Sequence, residues 1–189
     1  MTEPTAEFDE LLETMKLAAA ALREADVRFA LGGGLAVWAR GGPETEHDVD
    51  LFVQPDDAER ALEALGEAGF RTERPPEDWL YKGWHDGVLV DLIFAPIGMT
   101  VDDEFLDRAE LLDVHAVRVP VLRADDVLVA KLLAMREHRV DYDQVLEIAR
   151  TVREQIDWDA LRERTDGSPY AKAFLTLVDE LGVSDGSDG

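Results

Sequence analysis

The sequence predicts an α/β chain of the α+β kind: a mixed sheet flanked by helices, with a helical bundle after it. Three observations carry that reading. Short apolar runs bounded by glycine and proline alternate with helix-period segments as far as Leu122. Several of those runs alternate apolar and polar residues with the period of two that a strand requires. Beyond Leu122 only helical periodicity remains. The expected division is a sheet-bearing domain over 1–122, a helical subdomain over 123–183, and a polar Gly/Ser/Asp tail over 184–189 that is expected to be disordered.

From Ala6 to Ala25 the residues Phe8, Leu11, Leu12, Met15, Ala19 and Leu22 recur three and four apart, the stripe of a helix that covers a sheet. Val27 to Leu31 reads as a short buried strand, stopped by Gly32-Gly33-Gly34 and followed by the helix-capable run Leu35 to Arg40. Gly41-Gly42-Pro43 ends that helix, and Asp48 to Val53 is a strand. Pro55 with Asp56-Asp57 starts a helix that Ala58, Ala61, Leu62, Leu65 and Ala68 continue to Gly69. Phe70 to Glu73, Trp79 to Trp84 and Val88 to Phe94 read as strands, the last two joined by a tight Asp86-Gly87 hairpin turn. A short helix is expected from Asp103 to Leu111, and a strand over the alternating His115 to Leu122. About four helices follow, with stripes on Val127, Leu128, Leu132 and Met135, on Val145, Ile148, Ala149 and Val152, on a shorter Trp158 to Arg164, and on Phe174, Leu177, Val178 and Leu181.

Bulk composition narrows the chemistry. With no Cys, thiolate metal sites, disulfides and a cysteine nucleophile are excluded. The 19 Lys and Arg against 42 Asp and Glu give a net charge of −23, and no basic stripe tracks a phosphate backbone, so nucleic acid is a disfavoured partner. Neither a membrane span nor a signal peptide is evident, and the expected location is cytoplasmic.

In Asp48-Val49-Asp50 the side-chain period puts both carboxylates on one face of a strand, roughly 7 Å apart at Cα. Convergent carboxylates suit a hard cation, and oxygen-only ligands favour Mg²⁺ or Mn²⁺ together with substrate phosphate oxygens. Asp91 interrupts the apolar strand Val88 to Phe94, where an unpaired charge is costly, and it is the candidate third acid. The glycine turn adds an independent element, because it lets backbone N–H groups approach a phosphate at a helix start.

Taken together, Leu31-Gly32-Gly33-Gly34-Leu35-Ala36, a spacer of thirteen residues, Asp48-Val49-Asp50-Leu51 and an Asp91 within an apolar strand resemble the nucleotidyltransferase superfamily. The triple glycine and His47 beside the acid pair are most similar to small antibiotic nucleotidyltransferases, and toxin-type members are similar too. The resemblance covers about Val27 to Phe94. It implies a nucleotidyltransferase-like sheet in which Gly33 and Gly34 lie against a triphosphate, Asp48 and Asp50 ligate metal, and Asp91 ligates metal or acts as general base. It also implies a phosphate contact for Lys131, which stands in the otherwise apolar Val129-Ala130-Lys131-Leu132-Leu133. The reaction implied is transfer of a nucleoside monophosphate, AMP being expected, from a nucleoside triphosphate to an acceptor, with a small molecule favoured over RNA by the charge.

Where relatives often carry a Ser or Thr before the first Asp and a basic residue in the spacer, this sequence has His47 and Glu44-Thr45-Glu46. Two other readings follow: a non-catalytic module that keeps the fold, and a toxin acting on tRNA with an antitoxin-type protein partner. A Rossmann reading of the glycines is disfavoured, because the third small position is Val37 and no parallel strand-helix alternation follows. Asp141 and Asp143 suit a helix start. Trp79, Tyr81 and Trp84 are candidates to line an acceptor pocket, and His85, His115 and His138 show no metal-ligand spacing.

Overall fold

The computed structural model describes residues 6–45 and 48–184. Glu46 and His47 of the spacer, and the expected disorder of 185–189, lie outside the described residues. Seven strands form one sheet. They are β1 (Phe29–Leu31), β2 (Asp48–Val53), β3 (Arg71–Glu73), β4 (Leu80–His85), β5 (Val88–Ile93), β6 (Glu110–Val114) and β7 (Val117–Val121), in the spatial order β3-β4-β5-β2-β1-β7-β6. The pairs β2–β5 and β1–β7 are parallel and the remaining four are antiparallel, so the sheet is mixed as expected.

The pleat sorts the central strands into two faces. Val49, Leu51 and Val53 of β2 and Val90 and Leu92 of β5 are completely buried. They lie on the face covered by α1 (Ala6–Glu24) and α3 (Ala58–Glu67), which meet side by side. The α1 stripe reads as expected, with Phe8, Leu12, Met15, Ala19 and Leu22 all fully buried. The other face carries Asp48, Asp50 and Phe52 on β2 with Asp91 on β5, and it is here that the sheet stays polar. The helix after the glycines, α2 (Gly33–Ala39), begins two residues earlier than the apolar pattern indicates, and Trp38 meets Phe8 of α1 edge-on at 5.0 Å.

The stretch from Asp103 to Leu122 differs from expectation. The helix α4 stops at Asp107, and Glu110–Val114 forms the edge strand β6, which was expected to be partly helical. His115 and Ala116, expected at the start of a strand, make the β6–β7 turn with φ of 46° and 66°. Neither residue type signals a left-handed turn, and β6 has no clean alternation because Leu111 is exposed at the sheet edge. The Asp86-Gly87 turn, by contrast, forms as expected, with φ of 47° and 89°.

Four α-helices follow among the described residues: α5 (Ala124–Ala134), α6 (Tyr142–Thr151), α7 (Trp158–Thr165) and α8 (Pro169–Glu180). α5 is apolar almost all round and packs against the other three and against α2. The side chains of Asp141, Asp157 and Ser168 cap the three helices that follow it. A buried ionic cluster ties α5 and α7 to the end of α4. Asp126, fully buried, accepts from Arg108 at the end of α4 (3.1 Å) and from Arg164 of α7 (2.6 Å), while Asp125 takes Arg123 and Arg164. Among the described residues, no helix is long and apolar enough to cross a membrane.

Candidate active site

The register of the sheet builds the site. Asp50 on β2 is the partner of Asp91 on β5, and Asp91 is the partner of Lys82 on β4. Gly32, just past the end of β1, donates its N–H to the Asp50 carbonyl at 2.8 Å. One row across the sheet therefore reads Gly32, Asp50, Asp91, Lys82, and Asp48 stands two residues before Asp50 on the same face. The three acids expected from the sequence thus come together, with one carboxylate oxygen from each lying within 4.8 Å of the others.

The glycine turn is shaped by these acids. Gly33 has φ of +54°, and a Cβ there would lie 1.7 Å from Asp50 Oδ2. A Cβ on Gly34 would meet Thr45 Oγ1 at 2.4 Å. The start of α2 is therefore pressed onto Asp50 and Thr45, with no room for a side chain at either glycine.

Burial and mutual repulsion set the protonation of the cluster. Asp50 is pushed up to about 7, first by burial and then by the charges of Asp48 and Asp91, with Lys131 and Lys82 pulling the other way. Burial also raises Asp91, against the hydrogen bond it receives from Lys82. A cluster of three carboxylates in which Asp50 and Asp91 are held above the ordinary range is short of positive charge. A hard divalent cation on this all-oxygen set would supply it, and the donors fit Mg²⁺ or Mn²⁺.

Lys131 reaches the site from α5. It lines a cavity of about 770 Å³ together with Gly33 and Asp50, and its Nζ donates to Gln144 of α6 at 3.0 Å. A smaller cavity of about 260 Å³ continues past Lys131 along Gly34, Thr45 and Glu44. The aromatic trio divides. Trp79 lines the large cavity, but Tyr81 points to the opposite face and donates to Glu59 of α3 at 2.6 Å, and Trp84 lies under the Arg71 guanidinium at 5.1 Å.

Lys82 was not anticipated. Its Nζ sits 3.1 Å from Asp91 Oδ1 in a largely buried pair. A signal existed, because the chain has only four lysines, at 16, 82, 131 and 172, and two of them face the acids. Arg136 and Arg139 were missed as well. They form a small bridge on the α5–α6 connection and line the cavity, and neither guanidinium meets an acid among the described residues.

With this geometry in place, comparison with known proteins is informative. No curated protein matches the chain. Among solved structures it is similar to ANT(2")-Ia in complex with adenylyl-2"-tobramycin, with 14% identity and a TM-score of 0.62 over 88% of this chain and 97% of that one. It is also similar to the lincosamide antibiotic adenylyltransferase LnuA with lincomycin bound, at 12% identity and TM-score 0.55 over 76% and 97%. A third is an antigenic nucleotidyltransferase-like protein from Paracoccidioides brasiliensis, at 15% identity and TM-score 0.52 over 91% and 88%. At these identities the likeness is one of fold. A family model described as uncharacterised nucleotidyltransferase matches residues 10–178, a span that holds the glycine turn, all three aspartates and both lysines, so the chain belongs to that family and is a nucleotidyltransferase.

Proposed function

We propose that the protein moves a nucleoside monophosphate, with AMP expected, from a nucleoside triphosphate to a hydroxyl of a small-molecule acceptor. The observation that carries this reading is the convergence of Asp48, Asp50 and Asp91 beside the bare backbone of Gly33. Asp48 and Asp50 would hold Mg²⁺ or Mn²⁺, with Asp91 beside the ion. When bound, the ion supplies positive charge at the phosphates and at the leaving pyrophosphate.

The remaining work falls to the chain's own groups. The amides of Gly33 and Gly34 and the ammonium of Lys131 would hold the triphosphate, with Arg136 and Arg139 offering further positive charge along the same cavity. These cations answer the acidic spacer, in which Glu44 stands beside Gly34. Asp91 would accept the proton of the attacking hydroxyl as its oxygen bonds to the α-phosphorus. The bond to the β-phosphate oxygen breaks, and pyrophosphate leaves with the electron pair.

A small acceptor is favoured by the net charge of −23, which opposes a polyanion. The structural neighbour holding adenylyl-2"-tobramycin supports adenylyl transfer of this kind. The test is incubation with each α-labelled nucleoside triphosphate, Mg²⁺ or Mn²⁺ and a library of hydroxylated small molecules. The expected result is a labelled product with the wild type and none with an Asp48→Ala, Asp50→Ala double variant. Equal labelling by the two proteins would contradict the assignment.

A further inference from the structure

We propose that Lys82 takes the place of a second divalent ion at Asp91, so that the nucleotide-loaded site holds a single metal ion on Asp48 and Asp50. This deepens the reading above and rests on it.

Lys82 has a choice of partners, and its choice is informative. On β4 it lies in register with Glu73 of β3 on one side and with Asp91 of β5 on the other. It donates to Asp91 at 3.1 Å, while Glu73 is left to Arg71 at 3.7 Å. β4 is an inner strand, paired along both edges, so its backbone cannot easily withdraw the lysine. The adjacent Gly83 packs against α3, where a Cβ would come within 3.0 Å of Leu65, and this close packing holds the strand down. The backbone therefore keeps Lys82 beside the third acid, where its ammonium is paired.

Charge and ligand counting then favour one ion. The Lys82 ammonium already supplies a positive charge at Asp91 from 3.1 Å, and a second divalent ion on that acid would have to sit against it. Asp91 Oδ1 is already committed to Lys82, which leaves its second oxygen to receive the acceptor's proton. In two-ion sites the metals sit about 3.5–4 Å apart and the third acid ligates one of them, a position that here adjoins a cation. Lys82 is thus a positioning residue that acts through Asp91.

The experiment is electron paramagnetic resonance of the full-length chain with Mn²⁺ and a non-hydrolysable α,β-methylene triphosphate. Two ions that close give a spin-coupled spectrum, and scattered Mn²⁺ on the acidic surface does not. The wild type and Lys82→Arg are expected to show an uncoupled, site-bound ion, and Lys82→Met a coupled pair. A coupled pair in the wild type would overturn the inference whatever the variants do, and so would an uncoupled spectrum in a folded Lys82→Met. The metal reading itself would remain intact in both cases. Absence of any site-bound ion in the wild type, with a spectrum unchanged by Asp48→Ala, Asp50→Ala, would remove that underlying reading and the inference with it.

Discussion

Asp50 and Asp91 are register partners on two parallel strands, so two carboxylates project side by side from one face of the sheet, with Asp48 beside them. A fold stabilised only for its own sake would not place them so. Without a cation this arrangement costs stability, and the cost depends on pH. The unfolded Asp50 titrates near 3.8 and the folded one near 7. Below 3.8 both states hold the proton and no penalty exists. As pH rises toward 7 the unfolded state ionises first and stability falls, and above 7 the full penalty persists. Metal-free Asp50→Asn should therefore melt higher than the wild type, by several °C more at pH 8 than at pH 5. Paired calorimetric scans at the two pH values check this, and an equal offset at both would argue against the strained cluster.

Gly33 and Gly41 both have positive φ, but only Gly33 faces the acids. Gly33→Ala should abolish nucleotide-dependent activity, because its Cβ would overlap the Asp50 carboxylate. Gly41→Ala, whose Cβ meets open space, should cost about 1 kcal/mol of stability and leave activity near the wild-type level. Activity assays alongside urea denaturation separate the two outcomes.

Lys131 lines the cavity beside Gly33 and Asp50 and is held from α6 by Gln144. Lys131→Ala should raise the nucleotide KM about tenfold with a smaller change in kcat, the pattern of a lost charge-assisted contact to a bound phosphate. Gln144→Ala should shift KM by no more than about twofold. Steady-state kinetics over a nucleotide series give both numbers.

The Asp126 cluster should matter for stability rather than for chemistry. Replacing the buried Asp126 by Ala leaves Arg108 and Arg164 without their shared acid and should destabilise the fold by about 3 kcal/mol, as read from urea midpoints. Arg28→Ala, at the exposed pairs with Asp103 and Asp107, should leave the midpoint almost unchanged.

Much of this molecule could be read without coordinates, for identifiable reasons. Period two in Asp48-Val49-Asp50 determines which face the acids share, and an acid inside the apolar run of β5 stands out against its neighbours. The α1 stripe and the Asp86-Gly87 turn are similarly local signals. What stayed hidden depends on pairing between distant strands. Lys82 looks like any surface lysine until β4 and β5 are put in register, and Tyr81 and Trp84 look alike in sequence although the pleat sends them to opposite faces. The β6–β7 hairpin was missed because His115 and Ala116 make its turn without glycine or asparagine. Besides the local Arg123, the Asp125 and Asp126 cluster takes Arg108 from the end of α4 and Arg164 from α7, which no spacing rule connects.

The central claim is that Asp48 and Asp50 bind a divalent ion that nucleotide requires. Its most direct measurement is the thermal shift of the full-length chain with a non-hydrolysable triphosphate, with and without Mn²⁺, for the wild type and for Asp48→Ala, Asp50→Ala. The account predicts that the triphosphate raises Tm only in the presence of Mn²⁺, and that this nucleotide-dependent rise is lost in the double variant. An equal rise in the two proteins, or a rise in the wild type without any metal, would contradict it.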